Sequence, residues 1–139
     1  MWSRTYSKTV RKLEVSRVWR VWSDVNRWHL WQDDIDYARL EGEFVTGGRL
    51  RFKPRGGPEL TLELTEVRAP STFTDVTRFP LARMIDSHEL VASADGLEIR
   101  TTVRMEGALA FLWRKLVGED VARSLPQQTE KLIAEACRE

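Results

Sequence analysis

"FTDVTRFPLARMIDSHEL", Phe73 to Leu90, is two alternating runs joined at Pro80 and Leu81, and the rest of the chain is read outward from it. The alternation in each run predicts a β-strand, and the Pro-Leu step predicts a two-residue hairpin turn. One face then collects Phe73, Asp75, Thr77 and Phe79 from the first strand and Met84, Asp86, His88 and Leu90 from the second. A two-residue turn sets Asp75 opposite Asp86 and Phe73 opposite His88. Such a face reads as buried, yet it carries two carboxyls and an imidazole. A carboxylate on the dry side of a sheet is costly unless it is paired or keeps its proton.

The flanking segments continue the pattern. "RLRFKP", "ELTLELTEV" and "LEIRTTVRME" predict further strands, separated by Gly- or Pro-bearing turns, and such short links make neighbouring strands antiparallel. A two-residue loop at Ala69 and Pro70 places Leu62 opposite Thr77 and Leu64 opposite Asp75. The next hairpin is expected to set Asp86 beside Thr101 and His88 beside Ile99. Thr61, Glu63, Thr74, Arg78, Arg83, Glu89, Glu98, Arg100 and Arg104 share the opposite, wet face.

Upstream, "TYSKTVRK" predicts a first strand. "VSRVWRVWSDV" has Val15, Val18, Trp19, Trp22 and Val25 at amphipathic-helix spacing. "NRWHLWQDD" predicts a short helix capped by Asn26, and "DYARLEGEF" a second strand whose facing of Tyr37 and Arg39 is open. An inward Arg39 would favour a ligand carrying a carboxylate or enolate. After Gly107 the pattern becomes helical, with an apolar stripe from Leu109 to Ile133 that Gly118 and Pro126 are expected to bend or break.

Composition bounds the function. The chain has 139 residues, 42% apolar and 31% charged, enough for one domain spanning residues 1–139 with a real core. A net charge of +1 with interspersed signs excludes a nucleic-acid stripe. One cysteine, Cys137, excludes an internal disulfide and a cysteine zinc site, and suits a reducing cytoplasm. No signal peptide or membrane span is read. His29 and His88 with an aspartate lack the spacing of an iron site, so no metal and no cofactor is expected.

One strand, two short helices, a run of antiparallel strands and a long terminal helix resembles the START-like, helix-grip domains of the SRPBCC superfamily, closest to its polyketide cyclase/dehydrase and lipid-transport branch. The residues that carry the likeness are Val18, Trp19, Asp24, Trp28 and Trp31 in "VWRVWSDVNRWHLW", with "GEFVTGGRLRF", "FTDV" and "MEGALAFLWRKLVG" further along. The resemblance implies an α+β fold: a curved antiparallel sheet gripping the C-terminal helix, with an apolar cavity between them for a lipid, polyketide or aromatic compound.

Within that fold, strand parity and the helix stripe predict a cavity lined by Phe52, Leu62, Asp75, Thr77, Met84, Asp86, His88, Thr101, Val103, Trp113 and Leu116, with Trp28 or Trp31 at its mouth. The mouth is expected between the first turns of the helix, near Phe111 and Trp113, and the loops at Gly56 and Pro80. Two readings of the acids stand side by side: polar lining of a ligand cavity, or structural groups satisfied by threonines and backbone. The four tryptophans of the short helices are packing anchors or part of a ligand cage. Three functions follow: binding or carriage of a hydrophobic small molecule; a cyclase, aromatase or dehydratase using Asp75, Asp86 and His88 as acid and base; or an interaction module without a small ligand.

Overall fold

The computed structural model describes residues 2–138. The strands are β1 (Trp2–Val10), β2 (Ile35–Glu41), β3 (Arg49–Pro54), β4 (Leu60–Arg68), β5 (Thr72–Phe79), β6 (Ala82–Ser93) and β7 (Gly96–Glu106). They form one antiparallel sheet in the order β1-β7-β6-β5-β4-β3-β2. Because β1 and β2 are opposite edges, the chain between them must cross the sheet. It does so through α1 (Val15–Ser23), a single turn at Val25–Arg27, and α2 (Trp28–Trp31). Irregularities between Ile35 and Tyr37 and between Leu64 and Glu66 shift the strand register, as bulges do when they bend a sheet.

The last segment has a short helix α3 (Ala110–Trp113), a π turn (Arg114–Gly118) and α4 (Glu119–Ala136). Leu125, Thr129, Leu132 and Ala136 form the buried stripe of α4, which packs against α1, β1 and β7. The helix therefore lies in the grip of the sheet. Gly118 is helical, and a Cβ there would lie 2.9 Å from the Trp2 ring, so close packing rather than backbone freedom explains the glycine. Gly107 has φ 116°, and its turn brings Leu109 N–H to the Leu81 carbonyl at 2.9 Å, seating α3 on the β5–β6 hairpin.

Several expectations need correction. Pro126 does not interrupt α4; it sits on an exposed side, where water can donate to the Ala122 carbonyl the hydrogen bond that the ring cannot. Asn26 does not cap α2: its Oδ1 accepts the Leu40 N–H at 2.8 Å, tying the helical turn to β2. The β6–β7 hairpin turns on Ala94 and Asp95, so Asp86 pairs with Val103 and His88 with Thr101. That is a shift of two residues, which leaves every side chain on its expected face. The β5–β6 pairing is as expected, including Asp75 with Asp86 and Phe73 with His88.

The core divides in two. One cluster gathers Val18, Trp22, Trp28, Phe73 and Leu132 with the β2–β4 leucines, and the other gathers Trp2, Met84, Val103, Met105 and Leu125. No helix among the described residues is long and apolar enough to cross a membrane.

Candidate functional site

A cavity of about 260 Å³ opens between the sheet and α4. Its sheet wall is Phe52, Leu60, Leu62, Phe73, Asp75, Thr77, Met84, Asp86, His88 and Thr101. Trp22, Trp28, Trp31 and Gln32 approach from the short helices, and Val117, Val121, Ser124, Leu125, Gln128, Thr129 and Leu132 descend from the long one. Half-exposed Phe52, Pro54 and Leu60 face half-exposed Val117, Val121 and Ser124, which marks the opening. Beside it Gln128 Nε2 donates to Gln32 Oε1 at 3.1 Å, and Lys131 pairs with Asp33, so the α2 side is tied to α4.

Of the residues expected here, Trp31, Phe52, Leu62, Asp75, Thr77, Met84, Asp86, His88 and Thr101 lie on the wall. Val103, Trp113 and Leu116 do not. Val103 is fully enclosed in the second core cluster, where Trp2 and Met105 close over it. Trp113 stacks on Phe79 with centroids 4.6 Å apart and donates its indole N–H to the Pro80 carbonyl at 2.9 Å, stopping that end of the groove. Leu116 is 58% exposed because it lies within the π turn, whose wider winding changes the phase of the helical stripe. The opening is thus displaced along the helix from Trp113 toward Val117 and Val121, while its other edge stays near the expected hairpin, at Pro54.

The expected lining took only Trp113 and Leu116 from the helix and so lacked Val117, Val121, Leu125 and Leu132, as well as the polar Ser124, Gln128 and Thr129, which an apolar stripe does not mark. These three polar residues continue the same face as Val117 and Val121 at helical spacing, a signal that was available. Tyr37 and Arg39 are settled: the Arg39 guanidinium stacks over the Tyr37 ring at 4.5 Å and Tyr37 donates to Glu59, all outside the cavity. His29 is exposed on α2 and does not share the cavity with His88.

The polar floor is built by the central strands. The His88 ring lies on Phe73, centroids 4.2 Å apart at 15°, with Trp22 edge-on at 5.6 Å. Its Nε2 is 3.4 Å from Asp75 Oδ2. Burial pushes the imidazole pKa down to about 4, against a smaller upward pull from the Asp86 charge, so His88 is neutral near pH 7. Burial lifts Asp75 to about 7, with a hydrogen bond from Asp86 working the other way. Asp86 rises well above the ordinary carboxyl range, first through burial and then through the nearby Asp75 charge. The pair therefore retains a proton near neutral pH, shared between the two acids. The Oδ1 atoms of both aspartates are buried and have no hydrogen-bond partner. Chemically, the floor offers one acidic O–H, a carboxylate and a neutral imidazole at the base of an aromatic chamber.

A family model described as polyketide cyclase / dehydrase and lipid transport matches residues 1–135. Among solved structures, protein MLL2253 from Mesorhizobium loti superposes with a TM-score of 0.73 at 16% identity, covering 96% of each chain. Ara h 8.0201 superposes with a TM-score of 0.71 at 12% identity, over 97% of this chain and 98% of that one. The di-domain ARO/CYC StfQ of the steffimycin biosynthetic pathway gives 0.73 at 9% identity, over 96% of this chain and 49% of that one. At these identities the likeness is one of fold. No curated protein matches the sequence significantly.

Proposed function

The chain belongs to the polyketide cyclase / dehydrase and lipid transport family, and from that premise we propose that it binds a compact hydrophobic molecule in the cavity beneath α4. The observation that carries this reading is the contrast inside one chamber: aromatic and aliphatic walls, and a floor where one oxygen of each aspartate lacks a partner. Ligand sites have this composition, mostly apolar with a few placed polar groups. The volume narrows the ligand. At about 260 Å³ the cavity lies just under the common range of about 300–1,000 Å³, which suits a ring-sized compound better than a long-chain lipid.

Tryptophan fluorescence tests it directly, since Trp22, Trp28 and Trp31 all face the chamber. Titration with propylbenzene should give saturable one-to-one binding. Leu62→Trp, which fills the chamber from β4, should abolish that binding while the far-ultraviolet circular dichroism stays native. Absence of saturation in the unsubstituted protein, or binding untouched by the filled cavity, would remove the reading.

A second reading is supported by the floor alone. The proton held by the Asp75–Asp86 pair and the neutral His88 beside it could serve as acid and base on a ketide-like substrate, as cyclisation or dehydration requires. On any substrate turned over, Asp86→Asn and His88→Gln should each lower the rate by about 10²-fold or more. Unchanged turnover in both variants excludes the acid–base role.

A further inference from the structure

The chamber's polar groups are unbalanced in sign. Asp34, Asp75, Asp86 and His88 are its ionisable residues, and among the described residues no lysine or arginine lines it. The nearest candidate by sequence, Arg39, is turned outward onto Tyr37. Asp75 is 3% exposed, and its Oδ1, like that of Asp86, is an acceptor with nothing to accept from. A buried acceptor left unpaired is destabilising, more so when charged, so a ligand that brings donors offsets that cost.

We infer that the site takes a protonated amine: a compact aralkyl ammonium ion whose N–H groups meet Asp75 and Asp86 and whose ring lies among Trp22, Trp28 and Phe73. This rests on the cavity-binding reading above and names the ligand class for it. The floor suits the charge. One ionised carboxyl balances one ammonium, while its neighbour holds a proton and keeps the two acids from repelling. The walls suit it as well, because aromatic faces present negative charge density to a cation. Asp34, exposed at the opening, has the sign that draws cations inward. A carboxylate or enolate would meet two acids and no cation, the reverse of what an inward Arg39 would have favoured.

Four matched probes test this on the full chain, read by tryptophan fluorescence and confirmed by calorimetry: phenethylamine, phenethyl alcohol, hydrocinnamate and propylbenzene. The expected order places phenethylamine about tenfold tighter than phenethyl alcohol, because hydrogen bonds between charged partners are roughly twice as strong as neutral ones. Hydrocinnamate should bind more weakly than the alcohol. In Asp86→Asn and, independently, in Asp75→Asn, the ratio of amine to alcohol affinity should fall toward unity. If one variant fails to fold, the other and the wild-type ratio still decide.

Binding of propylbenzene with no preference for the amine over the alcohol overturns the ammonium inference and leaves the cavity reading intact. Tighter binding of hydrocinnamate than of the amine overturns it as well. Failure of all four probes removes the cavity reading, and this inference with it.

Discussion

Two adjacent cross-strand pairs on β5 and β6 reverse the usual division of a protein into oily interior and charged surface. Asp75 faces Asp86 toward α4, and one residue further along Val76 faces Ile85 away from it. Val76 and Ile85 are 5% and 6% exposed, although among the described residues no helix or second layer covers that face. Glu63 and Arg104 lie opposite them on β4 and β7, and Arg78 and Arg83 flank them, so aliphatic stems of charged side chains form the roof. Those charges have counter-charges: Arg78 pairs with Glu63 at 3.0 Å, Arg83 with Glu106 at 2.8 Å, and Arg104 lies 3.7 Å from Glu106, although its buried Nε has no hydrogen-bond partner. The interior acids have no such cation. Burial alone therefore does not identify a core position; whether the charges around it have counter-charges does.

The largest test of this contrast is to remove the platform under the inner floor. Phe73→Ala deletes the ring on which His88 stacks, at a position 1% exposed, and should cost about 3–5 kcal/mol in urea unfolding. A loss below about 1 kcal/mol would mean that the aromatic cluster is not packed as a unit.

Next is the pH dependence of stability, where the inner groups oppose one another. His88 titrates near 6.5 unfolded and near 4 folded, so the unfolded chain takes up its proton first and stability rises as pH climbs from about 4 to about 6.5. Asp75 is raised to about 7, so its contribution runs the other way, present at acid pH and lost as pH rises from about 4 to about 7. Asp86 acts in the same direction as Asp75. His88→Gln removes the opposing rise, and between pH 4 and 6.5 the variant should lose about 3 kcal/mol more than the parent protein. Parallel pH profiles for the two proteins would show that His88 is not held neutral by the fold.

The smallest of these effects belongs to the outer pair. Ile85→Ala should cost about 2 kcal/mol, the low end for such a truncation, because arginine stems can settle into the space whereas strand-anchored rings cannot. A cost matching that of Phe73→Ala would erase the distinction between a roof of flexible side chains and a packed core.

The acid pair was legible in the sequence because a two-residue turn at Pro80 and Leu81 leaves only one register, and alternation then assigns the faces. The β6–β7 register was less constrained, since "ASADG" offers several turns. Its error was an even number of residues and so harmless to the faces. Helix phase was the weak point. A single apolar stripe from Leu109 to Ile133 assumes uniform winding, and the π turn at Arg114–Gly118 breaks that assumption, leaving Leu112 and Leu116 outside while Val117 and Val121 reach the chamber. Nothing local in those five residues announces a π turn. Its setting is tertiary: Trp2, arriving from the opposite end of the chain, presses against Gly118.

That contact makes α4 a beam with unlike supports. At Gly118 it packs so closely on the Trp2 ring that a Cβ would meet it at 2.9 Å, a stop that resists compression and transmits no tension. Toward its other end Glu130 is tethered to Lys8 and Lys131 to Asp33, exposed ion pairs that stretch and re-form at little cost. A ligand larger than the chamber must lift the span between the supports, and the compliant end yields first. An oversized ligand is thus expected to displace α4 at Gln128, where one amide hydrogen bond and those ion pairs hold it, rather than at Gly118.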